Sequence, residues 1–85
     1  MVQEERIVSG LKRHDEKCLE DVMRLYGKLV YFVISKIIGK DDGTVSEELA
    51  SDTFMSIWNK AEYINLSKGT LKNLTCTIAR NNAKF

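Results

Sequence analysis

One histidine, two cysteines and a scatter of carboxylates are the side chains here whose types could carry chemistry. His14 stands in a polar stretch, Arg13-His14-Asp15, with no second histidine, nearby cysteine or carboxylate cluster at ligand spacing. It therefore reads as a solvated turn residue, not as a metal ligand or triad member. Cys18 and Cys76 lie far apart and form no CxxC, which predicts a reduced, partly buried thiol at each. The carboxylate pairs Asp41-Asp42 and Glu47-Glu48 fall in a loop and a first helical turn. There they favour the positive end of a helix dipole by about 0.3–1 kcal/mol each. The glycines make neither GxGxxG nor GxxxxGKS, so no nucleotide cradle is written here. These residues predict no enzyme, no metal and no cofactor.

Charge is more informative than chemistry. Thirteen basic and twelve acidic residues give 13 − 12 = +1, but the charges are sorted along the chain. Residues 1–40 carry 8 − 6 = +2, residues 41–62 carry 1 − 6 = −5, and residues 63–85 carry 4 − 0 = +4. Glu48 and Asp52, spaced i, i+4, repel mildly within a helix, and no basic residue falls between Asp42 and Asn59. Such a face is either simply solvated or a docking surface for a basic partner helix, with Met55 as an adaptable apolar contact. The last segment is complementary: Lys68, Lys72, Arg80 and Lys84 supply charge, and Asn65, Asn73, Asn81 and Asn82 supply amides able to read base edges. With Tyr63 in the preceding loop, that set suits single-stranded nucleic acid, although it also describes an ordinary surface. Four phosphate contacts to a single strand give a salt slope of only about −3. A domain binding that weakly needs a tethering partner.

The elements that must position these residues are helical. Eighty-five residues at 44% hydrophobic content make one small domain, which buries only about 60% of its unfolded surface. Zero prolines and 29% charged residues favour long helices. The longest apolar run, Leu29 to Ile38, is about ten residues, where a membrane span needs about 20. The acidic start Gln3-Glu4-Glu5 after Met1-Val2 is no export signal, so a cytoplasmic chain is expected.

Ile7, Val8 and Leu11 predict a short amphipathic helix over Glu4 to Lys12, with Asp15 as N-cap of the next. Leu19, Val22, Met23, Tyr26, Leu29, Val30, Val33, Ile34, Ile37 and Ile38 predict a helix from about Glu16 to Ile38, with Gly39 as C-cap. Gly27 inside it marks a close helix contact or a mild kink. Lys40-Asp41-Asp42-Gly43 reads as a loop, and Thr44 with Glu47 as a capping box. The third helix continues to about Ala61, with Ala50, Phe54, Ile57 and Ala61 within about 60° on one side and Glu48, Asp52, Met55 and Asn59 within about 60° on the other. Residues 62–69 read as a loop. Thr70 caps a fourth helix, with Leu71, Leu74 and Ile78 inward, running to about Phe85. The fold class is all-α, four helices.

Set in order, these segments resemble region 2 of bacterial sigma factors, most nearly the extracytoplasmic-function type. The resemblance rests on Arg24-Leu25-Tyr26-Gly27-Lys28-Leu29-Val30-Tyr31, then Glu47-Glu48-Leu49-Ala50-Ser51-Asp52-Thr53-Phe54-Met55-Ser56-Ile57-Trp58, then Gly69-Thr70-Leu71, then Thr77-Ile78-Ala79-Arg80-Asn81. It covers about Ile7 to Phe85. It implies a sigma region 2 type four-helix bundle that docks on core RNA polymerase and helps melt the promoter. Glu47, Glu48 and Asp52 would contact the clamp helices of the largest polymerase subunits, with Ser51 and Met55 at the edge. Asn65, Ser67 and Lys68 would border an unstacked base of the non-template strand at the minus-ten element. Thr70, Lys72, Asn73, Arg80 and Asn81 would contact the strand. Unstacking a base costs a few kcal/mol, which a preorganised loop pocket can offset. An anti-sigma protein is a further partner of the family, and no membrane insertion is implied.

The chain departs from the family pattern at three points. Ser51-Asp52 stands where Gln-Glu is usual, and Leu74, in a core role at i, i+4 with Ile78, stands where a Trp is usual. Phe85 ends the sequence with no second helical domain for the minus-thirty-five element, so a region-2 part of a longer factor, or a truncated factor, is expected. Two other readings remain at this stage. One is a helical adaptor that binds only protein. The other is a helix-turn-helix regulator, which needs a three- to four-residue turn where this chain has the stretch 62–69.

Overall fold

The computed structural model describes residues 3–40 and 43–84. The Asp41-Asp42 pair, the first two residues of the N-terminal reading and the helix end anticipated at Phe85 lie outside them. Four α-helices are present, and no strand occurs among the described residues: α1 (Gln3–Lys12), α2 (Glu16–Ile38), α3 (Thr44–Asn59) and α4 (Leu71–Ala83). No helix among them is long and apolar enough to cross a membrane.

α1 buries Ile7, Val8 and Leu11 and lies close against the start of α2. The close approach depends on Gly10, where an added Cβ would lie 2.0 Å from the Cys18 Sγ. The chain then reverses through His14, whose φ of 57° is left-handed. Asp15 caps α2 as its sequence position suggests, its carboxylate accepting from the Lys17 backbone N–H at 3.0 Å. Gly39 ends the helix at φ 79°, its N–H donating to the Ser35 carbonyl. Both cysteines are buried free thiols.

α2 packs on each of the other three helices. Its inward residues are Cys18, Val22, Tyr26, Val30 and Ile34, buried except for the half-buried Tyr26. They advance in steps of four, so the buried line drifts by about 40° per step around the helix and neighbours cross it obliquely. Met23 and Ile37, expected inward, are 45% and 37% exposed because the drift carries the core away from them. Gly27 is not a close contact: nothing lies within 4 Å of a Cβ built there, and α2 runs on through it.

The capping box at Thr44 is not formed as anticipated. Gly43, at φ 96°, takes the N-cap position and its carbonyl accepts from Glu47 N–H at 2.9 Å, which puts Thr44 at the first helical position. α3 buries Ala50, Thr53, Phe54 and Ile57 and stops at Asn59, short of Ala61, which is buried in the 3-10 turn that follows. The stretch read as an irregular loop contains two such turns, Ala61–Tyr63 and Leu66–Lys68, pinned between them by buried Ile64.

Thr70 caps α4, its hydroxyl accepting from Asn73 N–H at 3.1 Å. Leu71 N–H donates to the Glu4 carboxylate, so an α1 side chain closes the N-terminus of the last helix. α4 buries Leu71, Thr75, Cys76, Ala79 and Ala83 and ends at Ala83. Leu74 and Ile78, expected in the core, are only half-buried at its edge.

Alanine at the two helical glycines should move stability in opposite directions. Gly10→Ala drives a methyl into Cys18 and should cost about 1–3 kcal/mol, whereas Gly27→Ala meets open space and should add about 0.5–1 kcal/mol. Urea denaturation of the two variants reads both signs. Burial, with help from the Glu4 carboxylate and Cys76, pushes the Tyr26 phenol above its ordinary value. The unfolded phenol releases its proton near about pH 10. Stability from this group is therefore complete below that pH and is lost as pH rises through the higher folded value. Tyr26→Phe should flatten the alkaline limb of a pH–stability curve, and an unchanged limb would refute the assignment.

Candidate functional site

Two surfaces gather the residues singled out from the sequence. The first is the outer side of α3. Once Ala50, Phe54 and Ile57 are committed to the core, the helical period throws Glu48, Ser51, Asp52 and Met55 outward together, and all four are exposed. Asn59 continues the same side toward the C-terminus. No lysine or arginine occurs in this helix. Among the described residues the ion pairs join Asp21 to Arg6 and Arg24, and none engages Glu47, Glu48 or Asp52. Met55, 47% exposed, is an apolar contact inside the acidic field. Glu47 is exposed but about 80° to 140° from Met55, Glu48 and Asp52 around the helix. It borders a shallow hollow with Tyr31 and Ser35.

The second surface is an open groove of about 490 Å³ between the end of α3, the two 3-10 turns and α4. Its apolar floor is made by Ile57, Ile64, Leu74 and Ile78, and its polar rim includes Asn65, Lys68, Thr70 and Asn73. Four of the eight nucleic-acid candidates therefore meet at one opening. Two of them also hold the loop in shape. The Asn65 Oδ1 accepts from the Ser67 backbone N–H at 3.0 Å and the Ser67 hydroxyl at 2.6 Å, which leaves its amide nitrogen outside this turn. The Thr70 hydroxyl oxygen is the α4 cap described above, leaving its proton to donate.

The other four candidates lie outside the groove. Ser67 is consumed by the Asn65 turn. On α4, Asn73, Thr77 and Arg80 fall within about 60° of one another, so Arg80 extends the rim set by Asn73. Asn81 lies about 40° beyond Thr77, beside Leu74. Lys72 lies about 80° past Arg80, toward buried Ala79 and Ala83, and stands apart from the shared face. Asn82, counted among the base-reading amides, turns inward instead: its Nδ2 donates to the Thr53 hydroxyl at 3.2 Å. Thr53, fully buried, donates in turn to the Leu49 carbonyl at 2.8 Å. This pair ties the acidic helix to the groove helix.

Several groove residues went unmarked in the sequence. Lys60 and Ser56 reach it from the end of α3, and Thr77 stands one turn after Asn73 on the rim. The i, i+4 step from Asn73 to Thr77 was the available signal; nothing local marked Ser56 or Lys60. Tyr63, 77% exposed, stands at the mouth, where an aromatic ring can stack on a planar ligand. His14 is exposed but not merely solvated, because its ring packs against Trp58 with centroids 4.8 Å apart and planes tilted by 56°.

Geometrically, the second surface can hold one flat, partly apolar ring with amide and hydroxyl donors at its edge and cations beside it. The first can hold a cationic helix. Family models, curated proteins and solved structures were each compared with the chain, and none matches.

Proposed function

We propose that this chain is a region-2-type domain of an extracytoplasmic-function-like sigma factor, a transcription initiation subunit and not an enzyme, working in the cytoplasm. The observation that supports it most is the pairing of an unmixed acidic helix face with a separate amide-rimmed groove on the helix bonded to it. Glu48, Ser51, Asp52 and Met55, with Glu47 at the margin, dock on the basic clamp helices of core RNA polymerase. A base unstacked from the non-template strand of the minus-ten element enters the groove. There the apolar floor of Leu74 and Ile78 replaces its stacking partners and the donors of Asn65, Thr70 and Asn73 meet its edge. Lys68 and Arg80 hold phosphates on either side, with Asn81 further out beside Leu74, while Lys72, across the helix from Asn81, stands off the path of the strand. The direct DNA contacts are few, so affinity comes from the tether. Local order in the loop, set by the Asn65–Ser67 turn, keeps the opening formed before the base arrives.

Two experiments test this reading. Glu48→Lys combined with Asp52→Lys changes only exposed side chains, so circular dichroism should be unchanged while co-purification with core polymerase is lost. A double mutant that still binds core normally removes the docking assignment. In the second, fluorescence titration with a single-stranded minus-ten oligonucleotide should show Arg80→Ala reducing the salt slope by about 0.7. Lys72→Ala, lying off the rim, should weaken binding less than Arg80→Ala. Unchanged affinity of the Arg80 variant at low salt eliminates the DNA role and leaves a protein-only adaptor.

A further inference from the structure

Five of the eight large hydrophobic side chains exposed among the described residues sit on α2: Met23, Leu25, Tyr31, Phe32 and Ile37. Neither proposed surface uses them. Leu25 and Phe32 stand with Leu29 at i, i+4, i+7 and share one side of the helix within about 60°. Leu25 is 44% exposed, Phe32 is 59% exposed and Leu29 is half-buried between them. Because the core line has drifted round to Val30 and Ile34 at this level, Phe32 points almost directly away from the bundle.

Cations dominate from Val22 onward: the nearest acid on this side is Asp21, one turn before Leu25, and it is already paired with Arg6 and Arg24. Residues 22–40 contain Arg24, Lys28, Lys36 and Lys40 and no acid, or 4 − 0 = +4. Lys28 and Lys36 stand about 40° to either side of Phe32 around the helix. The Lys36 ammonium lies 5.4 Å from the Phe32 ring centroid, so a cation is held over the apolar patch itself. Of the four, only Arg24 has an acidic partner among the described residues, Asp21.

We infer that this stripe of α2 is a docking site for an acidic amphipathic helix of a partner protein, with apolar residues at i, i+4, i+7 against Leu25, Leu29 and Phe32 and carboxylates reaching Lys28 and Lys36. A seam of that spacing is how one helix packs along another. The cations flanking it set the sign of the partner's charge. A second copy of the chain offering the same stripe would bring Lys28 and Lys36 against their own counterparts, which opposes self-association. An anionic lipid surface also answers the charge. However, the apolar band is only three residues wide in the sequence, and Lys36 covers part of the ring that would have to insert. The site is on a different helix from the polymerase and nucleic-acid surfaces and does not depend on either.

The test uses two helical peptides of equal length with leucines at the same spacing, one flanked by glutamates and one by lysines, titrated into the isotope-labelled chain. The glutamate peptide should shift the amides from Leu25 to Lys36 and bind at least about tenfold more tightly than the lysine peptide. Phe32→Ala, and separately Lys28→Glu with Lys36→Glu, should each cut that affinity at least about tenfold with an unchanged helical signal, since these side chains lie outside the core. Equal binding of the two peptides, binding of neither, shifts centred on α4, or full affinity of Phe32→Ala each overturns the proposal. So does a dimer in sedimentation that Phe32→Ala dissolves, or binding to phosphatidylglycerol vesicles that displaces the peptide.

Discussion

The oblique ridge of α2 is the constraint on which the rest of this molecule depends. Cys18, Val22, Tyr26, Val30 and Ile34 give the other helices one continuous seat, and α1, α3 and α4 each pack on this helix. In a chain this short, full burial of one valine or isoleucine is worth about 1.5–3 kcal/mol, a sizeable share of the whole stability. The seat therefore tolerates little variation. Each neighbour reaches it by a different device. α1 comes close because Gly10 has no side chain to meet Cys18. α3 brings the large residues Phe54 and Ile57. α4 brings Leu71 and then small ones, Thr75, Cys76, Ala79 and Ala83, and is held at its start by the Glu4 carboxylate.

Once those inner faces are taken, the outer ones follow from the helical period. An acidic side of α3 is left outward because its opposite side is needed for packing, and the rim of α4 is left outward for the same reason. The opening sum of +1 thus hides three surfaces: acidic on α3, basic with amides on α4, and basic with exposed apolar residues on α2. On the proposed reading, a weak basic groove suffices because the acidic face supplies the attachment. The Thr53–Asn82 bond then fixes the two in register, as one net hydrogen bond of about 0.5–1.5 kcal/mol.

Much of the fold was legible because helix ends carry local signals. Asp15 and Gly39 bracket α2 where their side-chain and backbone chemistry says they must, and Thr70 does the same for α4. The acidic side of α3 was legible for a similar reason, since charge and period are both properties of neighbouring residues. What was not legible depends on how helices cross. A stripe drawn straight along α2 includes Met23 and Ile37, but an oblique contact line passes them by. Likewise Gly27 and Gly10 look alike in sequence, and only the neighbour of Gly10 makes it indispensable. Asn82 could be read as a base-reading amide until a buried threonine from another helix claimed it. Thr44 and Glu47 matched a capping pattern, yet the left-handed Gly43 took the cap one residue earlier.

The groove shows how a departure from a resemblance acquires a physical consequence. Leu74 stands where the resembled family usually has a Trp, and a core role with reduced volume was expected of it. In this bundle the small inward residues of α4 seat the helix on α2, so Leu74 and Ile78 are left at the edge, half-buried against the core cluster and half-open to the groove. A bulkier ring at Leu74 would occupy the space in which a planar ligand is proposed to sit. Leucine leaves that space open and gives it an apolar floor, with Tyr63 exposed at the mouth to cover one face of whatever enters. The smaller side chain is thus compatible with a more open base pocket, and the specificity of such a pocket would rest on the rim donors of Asn65, Thr70 and Asn73 more than on ring-to-ring stacking within it.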